Sequence, residues 1–267
     1  MTTEELYQKY DELEKAGDFN SHLNPINPDI VQPLGENFPY LQKKFWLKLR
    51  YFLTGAFIVW PYTWYQYKIV FKTKVKGKKN LKGIKSAVTT SNHIAMFDCL
   101  VNKWALKKHR IRIVGATFNN MKGRFGEYMR VGGMLPLGDS FNTMKQFNNA
   151  LEHYLLHDHY ILIYPEESMW YMYDKPRPYR NGAFYYAVKF DVPVVPMFTT
   201  YRPSGKKNKD GTDRQYFTVN IGKPIYAKAE LSAKENIEYL KNAAYNSCVE
   251  IYESTYGKKL VYAKQEK

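Results

Sequence analysis

Beyond residue 72, short apolar runs alternate with stretches whose apolar residues recur at helical spacing. The runs 86–91, 110–116, 134–137, 160–164 and 194–201 read as strands, and 97–108, 122–129, 142–157 and 182–190 read as helices. This alternation predicts an α/β fold with a mostly parallel central sheet flanked by helices. The stretch 75–83 reads as strand and turn. The stretch 202–214 holds Pro203, Ser204, Gly205, Asp210 and Gly211, so it reads as a loop ahead of a strand over 215–225. Ser232 and Glu235 form a capping box that opens a last helix, which runs to about Tyr256 and is stopped by Gly257.

The first 71 residues have a different pattern. Residues 1–40 hold much of the acid together with Pro25, Pro28, Pro33 and Pro39, and are expected to wrap a surface or stay mobile as a peripheral segment. Leu41, Phe45, Leu49 and Phe52 then recur at helical spacing, and residues 51–67 carry no charge. Crossing a bilayer needs about 20 consecutive apolar residues. This run is shorter and holds Pro61. The expectation is a helical hairpin over 41–71: a helix enters the membrane interface, breaks at Pro61, and an aromatic segment returns. Phe45, Trp46, Phe52, Phe57, Trp60 and Trp64 would anchor it. The competing reading packs the same hairpin on the protein's own core. Residues 72–267 then form the main α/β domain.

Charge sharpens this picture. The formal net charge is +15, and residues 37–97 hold twelve Lys and Arg with no Asp or Glu. Such a block attracts polyanions, either nucleic acid or an anionic membrane surface. Trp and Tyr between basic flanks favour the membrane surface, and no nucleic-acid-binding pattern is present. Cys99 and Cys248 suit reduced core positions in a cytoplasmic protein rather than a disulfide framework or zinc site, and the polar, acidic amino terminus is not a secretory signal.

The candidate chemistry begins where the first core strand ends. Asp98 is the only acidic residue between Glu36 and Glu127, and His93 lies five residues before it. A neutral imidazole takes a proton near pH 7, and a carboxylate fixes its tautomer and stabilises the cation formed. The spacing alone decides nothing, since His153 and Asp158 repeat it at what reads as a polar helix end. Ligands of open α/β sheets gather beyond the carboxyl ends of the strands. His93 and Asp98, the run Tyr164, Pro165, Glu166, Glu167 and Ser168, and Arg202 all follow strands, so parallel pairing would bring them to one edge. A metal pair at Glu166 and Glu167 lacks further ligands at suitable spacing, and Ser168 lacks the Gly-x-Ser-x-Gly elbow of a hydrolase nucleophile.

Asn92-His93-x4-Asp98, then Tyr164-Pro165-Glu166 and Val194-Val195-Pro196, with Gly77 leading in and Gly182-Ala183-Phe184 later, resembles the glycerolipid acyltransferase family over roughly residues 40–225. Its best-known members are the 1-acylglycerol-3-phosphate acyltransferases. The resemblance implies that His93 deprotonates an acceptor hydroxyl and Asp98 orients His93. The alkoxide attacks an acyl thioester, with acyl-CoA or acyl-carrier protein as co-substrate and no metal or other cofactor. N–H groups after His93 would hold the oxyanion. The acceptor would be a lysolipid or related hydroxyl amphiphile, met by Tyr164, Pro165, Glu166, Glu167, Arg180 and Arg202. The expected location is the cytoplasmic face of the cell membrane, peripheral or monotopic. A non-catalytic lipid-binding scaffold and an acyl-thioesterase are the alternatives. Two departures stand out. The strand at 133–139 lacks the usual arginine, and Phe-Pro-Glu-Gly-Thr-Arg-Ser is replaced by Tyr164-Pro165-Glu166-Glu167-Ser168-Met169-Trp170. Glu167 would repel a phosphate dianion or welcome an amine or sugar hydroxyls. Lys175, Arg177, Arg180 and Arg202 are candidate substitute cations, each also readable as part of a solvated basic face. Trp170, Tyr171 and Tyr173 suit stacking on a sugar or packing under a loop.

Overall fold

A computed structural model describes residues 3–23, 26–106, 110–208 and 211–263. In chain order its elements are α1 (Thr3–Ala16), α2 (Phe45–Thr54), α3 (Trp60–Tyr65), β1 (Lys74–Lys76), β2 (Ala87–Thr90), α4 (Asp98–Ala105), β3 (Arg110–Gly115), α5 (Gly123–Val131), β4 (Met134–Pro136), α6 (Phe141–Leu156), β5 (His159–Ile163), α7 (Gly182–Lys189), β6 (Val194–Lys207), β7 (Asp213–Ile221) and α8 (Ala233–Tyr256). The expected end of α4 at Lys108 lies outside the described residues.

The strands form one seven-stranded sheet in the order β1-β7-β6-β2-β5-β3-β4, parallel except for the β6–β7 pair. The mixed α/β fold with a mostly parallel sheet is therefore as the alternation predicts. β2 is central: its last residue, Thr90, pairs with Ile163 of β5 and Pro196 of β6. The chain leaving β2 and the chain leaving β5 thus emerge side by side. Alternation along each strand feeds two cores. Val88, Ile161 and Val194 face α6, α7 and α8, while Ala87, Ile113, Tyr160 and Leu162 face α4. At the sheet's far edge Gly77 adopts φ 79°, and a Cβ there would sit 2.1 Å from the Ile221 carbonyl oxygen. Asn80 Nδ2 donates to that same oxygen at 2.8 Å. The glycine and asparagine ahead of the first core strand therefore tie β1 to β7. The α8 cap matches its sequence: Ser232 and Glu235 close the capping box and Gly257 is left-handed.

The structure corrects two expectations. Residues 202–207 and 213–214 are strand rather than loop, because β6 and β7 stay paired out to Lys207 and Asp213 across an irregularity after Pro203. The hairpin at 41–71 is a single helical run. α2 and α3 are joined by a π-helical turn at Gly55–Val59, and a second such turn covers Gln66–Val70. Proline lacks an N–H and its ring collides with the carbonyl four residues back. Here the wider π turn precedes Pro61, with the Trp60 N–H donating five residues back to Gly55, so the chain continues without a break. In the amino-terminal segment, expected to wrap a surface or stay mobile, α1 is docked. Tyr10 stacks on Trp170 with ring centres 5.0 Å apart and donates to the Tyr171 carbonyl, and buried Glu14 accepts from Tyr173 and Lys175.

The helical run turns its small and polar residues inward. Gly55, Val59, Thr63, Gln66 and Tyr67 are buried, whereas Trp46 is 75% and Phe57 77% exposed, and Phe45, Phe52, Trp60 and Trp64 are exposed with them. Among the described residues no helix is long and apolar enough to cross a membrane.

Candidate active site

The site is built on the turn that follows β2. Asn92 is buried, and its side-chain amide brackets β6: Nδ2 donates to the Thr199 carbonyl at 3.0 Å and Oδ1 accepts from the Thr199 N–H at 2.8 Å. This clamp fixes the backbone immediately before His93. On the other side the chain leaving β5 holds the same turn. The His93 N–H donates to Glu166 Oε2 at 3.3 Å, the Trp170 N–H donates to the His93 carbonyl at 3.0 Å, and the Met172 N–H donates to the Ile94 carbonyl at 2.9 Å.

Asp98 is the first residue of α4, where the helix dipole favours a carboxylate. Its Oδ2 lies 2.9 Å from His93 Nδ1 and accepts from the Ile94 and Ala95 N–H groups at 2.7 and 3.0 Å. Its Oδ1 accepts from the Tyr164 hydroxyl at 2.8 Å. The carboxylate is 1% exposed and the imidazole 23% exposed. A carboxylate only accepts, so His93 Nδ1 carries the proton and the Nε2 lone pair is left for an incoming hydroxyl. The two N–H groups nearest His93 are spent on Asp98, which removes Ile94 and Ala95 as donors to an oxyanion.

Tyr164 does not face an acceptor. Its ring stacks on the imidazole at 4.3 Å between centres, its hydroxyl holds Asp98, and Asn102 Nδ2 donates to that hydroxyl at 3.3 Å. Burial, then the nearby Asp98 charge, pushes the phenol well above its ordinary range, so it remains a proton donor to Asp98.

Glu166 is also inward, buried with Pro165. Its partner is Arg177, which the sequence offered as a substitute acceptor-binding cation or as part of a solvated basic face, and which is 0% exposed. Arg177 Nε and Nη2 donate to Glu166 Oε2 at 3.1 and 2.8 Å, and its backbone N–H donates to Oε1 at 3.0 Å. Nη1 donates to the Phe19 carbonyl and Ser168 Oγ, Nη2 donates to the Ser168 carbonyl, and the guanidinium lies over Trp170. Ser168 is therefore sealed beneath an arginine. Trp170 and Tyr173 are packing residues, while Tyr171 is exposed. No motif announces Arg177, because its partner is eleven residues away across a loop.

The remaining acceptor candidates divide. Arg202 is committed: Nε donates to Thr218 Oγ1 at 2.9 Å, and Nη2 donates to the Lys72 and Phe217 carbonyls. It ties the β6–β7 hairpin to the end of the long helix rather than facing an acceptor. Glu167 and Arg180 are exposed, form an ion pair at 3.4 Å, and sit at the bend, where the Arg180 N–H donates to the Pro165 carbonyl. Glu167 has φ 63°, a left-handed turn that suits the glycine of the related motif. The second His-x4-Asp copy is unlike the first: His153 lies against His157 with ring centres 4.1 Å apart, at the end of α6. Burial pushes the Cys99 and Cys248 thiols up to about 12, so neither is a ready nucleophile. Among the described residues no three His, Cys, Asp or Glu side chains converge as metal ligands.

The aromatic helix reaches this site. Tyr62 of α3 packs edge-on against Phe97, the residue before Asp98, with ring centres 5.3 Å apart. Two clefts of the fold, about 530 Å³ beside β4 and about 640 Å³ at the start of α6, are lined by other residues.

A family model described as Acyltransferase matches residues 72–200. The fold is similar to the crystal structure of the 1-acyl-sn-glycerophosphate (LPA) acyltransferase PlsC from Thermotoga maritima. The TM-score is 0.54 at 14% identity, covering 83% of this chain and 87% of that chain. No curated protein matches the sequence significantly.

Proposed function

We propose, from the match of residues 72–200 to the family model described as Acyltransferase, that this protein moves a fatty acyl group from a thioester to a hydroxyl of a membrane-borne lysolipid. The acceptor class is 1-acylglycerol 3-phosphate or a related amphiphile, and the donor is acyl-CoA or acyl-carrier protein. The observation that carries the reading is the His93–Asp98 pair: Nδ1 held by a sealed carboxylate on a ring open to the surface.

His93 Nε2 takes the proton of the acceptor hydroxyl as its oxygen attacks the thioester carbonyl carbon. Asp98 balances the imidazolium that forms. The tetrahedral intermediate collapses, the carbon–sulfur bond breaks, and the thiolate recovers the proton from His93. An ester and a free thiol leave, with no covalent acyl-enzyme. Ser168 and the two cysteines are not used.

The exposed aromatic face of α2 and α3 supports action at a membrane surface, on the cytoplasmic side, as a peripheral or monotopic protein. Trp and Phe settle at the headgroup boundary, and the flanking lysines add attraction to anionic lipid. The Tyr62–Phe97 contact brings that face next to the base.

The test is His93→Ala with an acyl thioester and mixed lysolipids. Acyl transfer should fall by about 10²–10⁴-fold, the usual worth of a positioned base, while the variant still unfolds cooperatively and folding stays largely intact. Undiminished transfer would refute the assignment. Rapid thiol release without any acceptor would instead indicate a thioesterase.

A further inference from the structure

The cleft beside β4, about 530 Å³ in volume, carries chemistry that the acyl-transfer site does not use. Lys48, Arg112, Arg130 and His153 line it, and no carboxylate does. Arg130 Nη1 donates to Asn120 Oδ1 and the Met121 carbonyl, both neutral, so its charge is not cancelled. Arg112 is the more telling group. It lies over the Tyr154 ring at 4.2 Å, and its Nε is buried with no hydrogen-bond partner. Among the described residues no acidic side chain pairs with it. A guanidinium partly withdrawn from water without a counter-charge is costly, and an anion in the cleft would relieve that cost.

The neighbourhood reports the same excess of positive charge. Lys103, whose ammonium donates to the Gly132 carbonyl, is pushed down to about 8, first by burial and then by Arg112. His153 is lowered by burial, by His157 and by Arg112.

Apart from Gln32 and Gln42, the rest of the cleft is mainly apolar and aromatic. Phe38, Leu41, Tyr51, Phe52, Val131 and Leu135 complete its walls. Phe52 belongs to the exposed aromatic face of α2, so the cleft opens along the surface read above as membrane-facing. It is separate from the base. Ile111 and Ile113, on either side of Arg112, belong to the core packed on α4, so Arg112 points to the opposite face of the sheet from the helix that begins with Asp98.

We propose that this cleft is a second lipid site, which takes the phosphate of an anionic membrane phospholipid between Arg112, Arg130 and Lys48 and lays an acyl chain against Phe52. The site rests on the membrane-facing reading of α2. The phosphate chemistry could also be met by free phosphate, and the experiment separates the two.

Binding of dihexanoyl-phosphatidylglycerol, used below its micelle concentration, is measured by calorimetry against dihexanoyl-phosphatidylcholine and inorganic phosphate. No bilayer is involved, so the outcome is independent of whether the aromatic face binds vesicles. The anionic lipid should bind, and Arg112→Gln and Lys48→Gln should each weaken it by about tenfold, the worth of one charge-assisted contact. Arg112→Lys should recover part of the loss, and His93→Ala should leave binding intact. Lys48 is exposed on α2, so its variant serves as the test should Arg112→Gln fail to fold. Unchanged affinity in the glutamine variants overturns the proposal. So does binding of phosphate or phosphatidylcholine as tightly as the anionic lipid, or loss of the signal in His93→Ala, which would put the lipid in the catalytic cleft.

Discussion

Arg177→Met tests the idea that the base is held in place by a buried charge pair that reaches it through its backbone N–H. Methionine roughly preserves the volume over Trp170 but removes the whole guanidinium. Glu166 then keeps two backbone donors, from Arg177 and His93, and loses both of its charged ones. The Phe19 and Ser168 carbonyls lose donors as well. Breaking a buried pair by removing one partner costs about 3–5 kcal/mol, because the surviving charge is uncompensated. Against a total stability of about 5–15 kcal/mol this is a large share. The same physics predicts the rescue. A buried pair roughly breaks even against neutral groups of similar shape, so Glu166→Gln added to Arg177→Met should restore at least half of the loss. Urea unfolding followed by tryptophan fluorescence measures this directly, since Trp170 lies within the cluster. Turnover should follow, because Glu166 Oε2 accepts from the His93 N–H. A loss below about 1 kcal/mol for Arg177→Met, or a double variant less stable than either single one, would refute the reasoning.

The aromatic face predicts that Trp46→Ser with Phe57→Ser weakens binding to vesicles containing anionic lipid by at least about tenfold in a flotation assay, from the apolar area withdrawn from the interface; unchanged binding would remove the membrane reading. His159 is buried, and burial lowers its imidazole to about 4, so the unfolded chain binds its proton more readily than the fold does. Stability it confers is complete above the ordinary histidine range and is lost as pH falls from about 6.5 to 4, by up to about 3 kcal/mol. His159→Gln should flatten that part of the pH–stability curve, and an unaltered slope would count against burial as the cause. Glu167→Gly relieves the left-handed φ and should raise unfolding free energy by about 0.5–1 kcal/mol after the entropy cost of glycine; a destabilised variant would show that the Arg180 pair outweighs the strain.

What the sequence exposes follows from where burial leaves a mark. β2, β5 and the start of β6 are almost wholly buried and read as uncharged, largely apolar runs, whereas β3 alternates, with Ile111 and Ile113 buried beside Arg110 and Arg112. The outer ends of β6 and β7 are partly or fully solvated and carry no such pattern; they are held by pairing, by the Lys207–Asp213 ion pair, and by Arg202 and Arg214 donating to the Lys72 and Val70 carbonyls. Pro61 misleads for another reason. Its missing donor is absorbed by a π turn, and nothing in the local sequence distinguishes that from a break. The aromatic residues around it remain legible because their exposure, not their burial, is what is unusual.

The site divides along the same line. His93 and Asp98 are near in sequence and share one turn, so their pairing can be read from spacing and the isolation of Asp98. Tyr164 and Glu166 are also visible as a motif, but their roles are not. Each points away from an acceptor, one toward Asp98 and the other toward Arg177. A carboxylate sealed inside a protein needs a counter-charge, and the chain supplies Arg177 from beyond the loop. That arginine is therefore required by Glu166 rather than by a ligand. Arg202 is likewise taken by carbonyls. With those cations spent, Glu167 and Arg180 are the exposed charged pair at the bend. On the proposed acyl-transfer reading, a head group reaching the bend meets a carboxylate and a guanidinium together, which is what glutamate in place of the related motif's glycine changes.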